Sequence, residues 1–121
     1  MIAALGDEGI ATRSRSDEGR DFTGVWIEDR KIGSIGVHVQ KGVTTHGFAV
    51  NVQNDLQPFE WVVPCGLGDV RMTSVLKEQA RGGDPLRCFR KRMAWRFAEA
   101  FGRRQRLVSA ARLGIEAPAL V

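Results

Sequence analysis

One cysteine stands where an apolar run must turn. Residues 61–68 read WVVPCGLG, with Cys65 between Pro64 and Gly66. A cysteine kept for packing sits inside an element, whereas proline and glycine mark a change of direction. The thiolate is the nucleophile, and a free cysteine is mostly protonated at neutral pH, so it needs a cationic or basic neighbour. Lys31, Lys41, His38 and His46 are the candidates in the strand-rich part of the chain. Lys31 leads into the small residues Gly33, Ser34 and Gly36, and Gly47 follows His46. Small residues on adjacent strands leave backbone N–H groups open to a substrate. A nucleophile, a cation and open backbone together describe covalent acyl transfer, with amide donors around a thioester carbonyl. Each residue also has a plainer reading: a thiol inert in its turn, a histidine satisfied in a core, a lysine solvated at the start of a strand.

The elements that must hold these residues follow from periodicity and punctuation. Residues 2–8 suit a short helix closed by Gly9, and residues 11–21 are polar and suit a loop. Residues 24–27 and 31–39 pair as a hairpin around a turn at 28–30. After a second turn at 40–42, residues 43–52 alternate, with His46, Phe48, Val50 and Val52 on one face and Thr45, Gly47, Ala49 and Asn51 on the other. Residues 54–58 form a loop, and 59–63 a short strand ending at Pro64 and Cys65. Short consecutive strands with tight turns predict an antiparallel meander. Helical signals follow. Thr73 caps a helix through 74–80, and Gly82 and Gly83 break it. Asp84 as N-cap with Pro85 at the first position opens another helix, whose core stripe is Leu86, Phe89, Met93 and Phe97.

Composition narrows the class. A chain of 121 residues with 43% hydrophobic and 26% charged residues is an ordinary single globular domain. Two cysteines, Cys65 and Cys88, make no disulfide framework, so both read as reduced thiols in a cytoplasmic protein. With no CxxC and no His/Cys cluster, no zinc site is expected. No leader peptide and no run of membrane-spanning length is evident. The net charge of +4 is concentrated in residues 87–106, where arginine and lysine face the single acid Glu99. Such a segment is either a solvated helix face or a surface for an acidic partner.

Residues 23–66 carry, in order, K-I-G-S-I-G from Lys31, K-G-V-T-T-H-G-F-A-V-N from Lys41, D-L-Q-P-F from Asp55, and P-C-G around Cys65. This succession resembles the C-terminal half of the lipoyl(octanoyl) transferases, which move octanoyl groups from acyl carrier protein to lipoyl domains. The resemblance implies that Cys65 is the nucleophile and carries the octanoyl group as a thioester. It implies that Lys31 lowers the thiol pKa and serves in proton transfer. Ser34, Ile35 and Gly36 then match one wall of the acyl site, and Gly47, Phe48 and Ala49 another, with His46 and Asn51 in support. The implied fold is α+β, an antiparallel or mixed sheet with helices packed on it, as in the catalytic domain of biotin and lipoate protein ligases. No metal or organic cofactor is implied. The implied partners are octanoyl-acyl carrier protein, the lipoyl domains of 2-oxoacid dehydrogenases and the glycine cleavage H protein, with no nucleic acid and no membrane.

Members of that family carry an R-G-G-x-x-T-x-H-G-P-G-Q signature in an N-terminal half. Arg81, Gly82 and Gly83 do not supply it, because they follow the cysteine and lack the rest of the motif. The expectation is therefore a partial catalytic domain over residues 1–121, N-terminally incomplete, with an unpaired sheet edge. The rival reading is a non-catalytic remnant or binding module that uses the basic helix on an acidic protein or nucleic acid. ATP-dependent ligation is disfavoured, since ligases of this fold use a lysine without the P-C-G thiol and no nucleotide loop is present.

Overall fold

The computed structural model describes residues 1–62, 70–79 and 83–115. A short helix α1 (Ile2–Asp7) is followed by strands β1 (Arg13–Ser14), β2 (Val25–Ile27), β3 (Arg30–Gln40) and β4 (Val43–Val50). Strand β5 (Arg71–Met72) and helices α2 (Val75–Gln79) and α3 (Pro85–Ala100) complete the regular elements. The sheet runs β1-β2-β3-β4 with antiparallel neighbours, and β5 adds a parallel pairing to β3. The sheet is mixed and the class is α+β, as the sequence predicts.

The hairpin turns follow from residues that accept the left-handed region. Lys41 at φ 51° and Gly42 at φ 76° close β3 onto β4. Two consecutive positive φ values give the turn whose twist matches that of paired strands. Gly9, at φ 78°, ends α1 as expected.

Strand β3 is the spine, and it contains one irregularity. Val25 lies opposite Gly33, but the next residue of β2, Trp26, lies opposite Lys31. Ile32 is thus an extra residue, a β-bulge, and it breaks the period-two alternation. Ile32 and Gly33 both turn to the core side, while Lys31 and Trp26 face the other way. Contacts agree: Val25 and Ile32 are buried with Ala4, Leu5, Val52, Val75 and Phe89, and Val50 packs against them.

Helices α1 and α3 cover that side. Arg96 forks onto Asp7 through bonds of 2.6 and 2.8 Å, and Arg92 pairs with Glu8 at 3.2 Å. These two arginines, read from sequence as part of a uniform basic face, hold one helix to the other. Hydrogen bonding from Arg96 keeps the Asp7 carboxyl below its ordinary range.

Four expectations are corrected. Residues 59–63 do not form a strand: a 3₁₀ helix spans Gln57–Trp61, and Val63 lies outside the described residues. Asp55 accepts from the Gln57 N–H at 3.0 Å and Pro58 fixes a helical φ, which together favour a helical turn over extension. The loop over 11–21 contains β1 and two 3₁₀ turns. The cap of α2 is Ser74, whose Oγ accepts from the Lys77 N–H at 3.3 Å, whereas Thr73 donates to Glu78 at 2.6 Å. In α3 the Asp84 cap is present, accepting from Leu86 N–H, but of the predicted stripe only Phe89 is fully buried. Phe97 is 49% exposed and stacks between Phe48 and Phe101.

The distal part of β3 and β4 is a two-stranded arm. Strand β2 accompanies β3 only as far as Gly33, so the same edge of β3 over residues 34–40 has no strand partner among the described residues. Val37, Val39 and Val43 on this arm are all more than half exposed.

Candidate functional site

Lys31 is the one predicted cation that the fold buries. It is 5% exposed, whereas Lys41, His38 and His46 lie exposed along the arm. No carboxylate among the described residues pairs with it. Instead its Nζ lies 5.5 Å from the ring centroid of Trp26, a cation–π placement. Trp26 is almost fully buried and donates its indole N–H to the Phe22 carbonyl at 2.8 Å. The Arg15 guanidinium covers both aromatics, 4.4 Å from the centroid of Phe22 and 4.7 Å from that of Trp26. Glu18 binds Arg15 and Arg13, and chiefly through the Arg15 hydrogen bond its carboxyl is held down to about 2. A buried ammonium therefore rests on an aromatic floor that also carries the Arg15 guanidinium.

The predicted wall residues are cross-strand partners: Ser34 opposite Ala49, Ile35 opposite Phe48, Gly36 opposite Gly47. Their side chains divide between the two faces. With the bulge at Ile32, alternation puts Ser34, Gly36, Gly47 and Ala49 on the face of Lys31. Ile35 and Phe48 fall on the helix side, where Phe48 meets Phe97 with ring centroids 5.7 Å apart. A strip of small side chains thus runs along one face of the arm from a buried lysine. His46 sits mid-strand at φ 68°, a left-handed conformation that a non-glycine residue rarely takes. It directly precedes Gly47, so the backbone irregularity borders the strip. Asn51 continues from β4, its N–H donating to Ile32 C=O at 2.9 Å and its carbonyl accepting from Val75 N–H at 3.0 Å.

Cys65 lies outside the described residues. The chain leaves them at Val62 and returns at Val70, entering β5 with Met72 in register with Lys31. The Thr73 N–H donates to the Lys31 carbonyl at 2.9 Å, so the described chain resumes at a strand beside the lysine.

Sequence reasoning missed Gly24, Trp26, Phe22 and Arg15 as the surroundings of Lys31. The available signal was G-V-W, immediately before the hairpin: an aromatic and a glycine two residues apart share a strand face. A groove of about 1500 Å³ opens between β4 and α3, lined by Phe48, Val50, Phe89, Met93 and Phe97 among others. It lies on the helix side of the sheet, away from Lys31. Among the described residues no cluster of three His, Cys, Asp or Glu side chains could hold a metal ion, and no helix is long and apolar enough to cross a membrane.

Comparison with known proteins gives the family of the chain. The lipoyl protein ligase A/B catalytic domain matches residues 1–97. An octanoyltransferase of Dictyoglomus thermophilum is 41% identical over 102 residues, covering 84% of this chain and 42% of that protein. An octanoyltransferase of Dictyoglomus turgidum is 47% identical over 78 residues, 64% of this chain and 32% of that one. A mitochondrial octanoyltransferase of Arabidopsis thaliana is 52% identical over 56 residues, 46% of this chain and 24% of the relative. The chain thus spans less than half the length of these curated relatives. It belongs to the lipoyl protein ligase A/B catalytic domain family.

Proposed function

We propose that this chain provides the thiol and lysine side of an octanoyl transfer centre that serves protein lipoylation. The observation that carries the reading is Lys31: a buried ammonium with no carboxylate partner among the described residues, on the face that bears the small-residue strip. Burying an unpaired charge is unfavourable, and such groups are retained where they act on another group.

In this reading Lys31 favours the thiolate of Cys65. The thiolate attacks the carbonyl carbon of the octanoyl-acyl carrier protein thioester, forming a new carbon–sulfur bond. The bond to the carrier sulfur breaks, and that sulfur leaves with a proton from Lys31. In the second displacement the ε-amine of a lipoyl-domain lysine attacks the octanoyl-Cys65 thioester. The amide forms, the Cys65 thiolate departs, and the now neutral Lys31 takes the proton lost by the amine. Backbone N–H groups beside the small-residue strip are the candidate donors to the oxyanion. Octanoyl-acyl carrier protein and the lipoyl domains of 2-oxoacid dehydrogenases and the glycine cleavage H protein are the proposed partners, in the cytoplasm.

The β3 edge over residues 34–40, which has no strand partner among the described residues, supports a centre completed by further strands. The test is incubation with octanoyl-acyl carrier protein followed by intact-mass analysis. It is run on the chain alone and on a fusion to the N-terminal part of an octanoyltransferase. The fusion is expected to gain one octanoyl group, to lose that ability in Cys65→Ser and to keep it in Cys88→Ser. An adduct at Cys88, or none in the folded fusion, would refute the assignment.

A further inference from the structure

Gly24 stands at φ 146°, immediately before β2. A Cβ at this position would lie 2.7 Å from Lys31 Cε and 3.4 Å from Lys31 Nζ, and 2.5 Å from the Gly33 carbonyl oxygen. The first two distances concern the far end of the lysine, the third the backbone of β3. The space that a side chain at 24 would fill is therefore the space the Lys31 side chain occupies on its way across Trp26.

We propose that Gly24 is a positioning residue for Lys31, which by lacking a side chain keeps open the slot that seats the ammonium on the face of Trp26. The inference rests on the reading of Lys31 given above and adds to it the pair that sets where the charge lies. Two observations support it independently. The bulge at Ile32 turns Lys31 toward Trp26 rather than toward the core, so Gly24, Trp26 and Lys31 share one face. Trp26 in turn cannot yield, because it is 1% exposed, anchored by its indole N–H and covered by Arg15. With a fixed floor, a methyl group at 24 crowds the end of the lysine as well as the Gly33 carbonyl, and the proposal is that the lysine gives way.

The readout is the pH dependence of iodoacetamide alkylation, resolved by peptide mass spectrometry, with Cys88 as internal control. Cys88 is exposed on α3 and far in sequence from this site. Lys31→Ala sets the span of the effect. Gly24→Ala is expected to move the Cys65 midpoint toward that of Lys31→Ala, lowering the neutral-pH rate roughly tenfold for each unit moved, and to leave Cys88 unchanged. In the Lys31→Ala background, Gly24→Ala should still lower Tm, through the contact with the Gly33 carbonyl and the strain of a side chain at φ 146°, but should not move the Cys65 midpoint further. Should Gly24→Ala fail to fold, Trp26→Leu and Trp26→Phe replace it. Loss of the aromatic floor is expected to act like displacement of the lysine, and the phenyl ring to preserve the wild-type profile. A wild-type midpoint in folded Gly24→Ala or Trp26→Leu, or an equal shift with Lys31 already gone, overturns the proposal. A wild-type midpoint in Lys31→Ala would instead remove the role given to Lys31, and this inference with it.

Discussion

Alanine at Gly36 or Gly47 should separate stability from function. The two glycines face each other across β3 and β4, and a Cβ built at either meets no atom within 4 Å. Neither has a positive φ, so alanine adopts the existing backbone without strain. Removing a glycine under those conditions restricts the unfolded chain and stabilises by about 0.4–1 kcal/mol. For a chain of this size that corresponds to a rise in Tm of roughly 1–5 °C. The new methyl group, however, projects from the face that carries Lys31, where the proposed reaction lays the acyl chain. Moving a reacting carbonyl by an ångström costs on the order of 100-fold in rate. Thermal unfolding followed by circular dichroism gives the first quantity. The time course of the octanoyl adduct on Cys65, in the fusion described above, gives the second. The expected result is an equal or higher Tm with acylation slowed at least about tenfold. A fall in Tm of several degrees would show that the strip is not open. Unchanged acylation would show that the acyl chain does not lie there.

Two further outcomes are expected. Burial opposes ionisation of Glu78, but hydrogen bonds from Thr73 and Arg30 outweigh it and hold the carboxyl below its ordinary range. Its folded value is therefore below its unfolded one, so its contribution is present above the ordinary glutamate range and lost as pH falls through the lowered value. The Tm difference between wild type and Glu78→Gln should shrink as pH falls from neutral to below the ordinary glutamate range, and a gap that widens on acidification contradicts this. Separately, Arg90, Lys91 and Arg104 are exposed and have no acidic partner among the described residues, unlike Arg92 and Arg96. Reversing those three charges should weaken carrier-protein binding at low ionic strength and matter less at high. Unchanged binding at low salt would mark the face as merely solvated.

What the sequence disclosed depended on how local the cause was. The β2–β3 and β3–β4 hairpins were legible because alternation and turn residues lie within a few positions of one another. The Asp84-Pro85 start of α3 was legible for the same reason. The strand expected over 59–63 failed because its apolar content outweighed Asp55 and Pro58, whose effect is to curl the preceding turn. The parallel pairing of β5 was not visible: two residues carry no period, and Arg71 and Met72 meet β3 only through tertiary contact. In the candidate site, Lys31 and the paired triplets could be named from motifs. Their division between two faces could not, because it depends on a bulge that shows only when two strands are set in register.

That bulge links the fold to the proposed chemistry. Under strict alternation Lys31, Gly33 and Ile35 would share a face, and the lysine would point at α1 and α3 with Val25 and Val50. A buried charge there would meet the apolar cluster of Leu5, Val25, Val75 and Phe89. One extra residue at Ile32 reverses the phase of everything before it. Ile32 joins the core at 0% exposure, and Gly33 fits under Met1, where a Cβ would come within 3.1 Å of its sulfur. Lys31 is left on the face of Trp26 and the small-residue strip. The same irregularity thus completes the apolar core and keeps the ammonium out of it. Its cost is a locally broken ladder, offset on the other edge by β5, whose Met72 pairs with Lys31 and whose following Thr73 N–H takes the Lys31 carbonyl. The strand that pairs with Lys31 on that edge is also where the described chain resumes after residue 62. A change that removed the bulge would therefore act on the lysine, on the core and on the pairing with β5 at once.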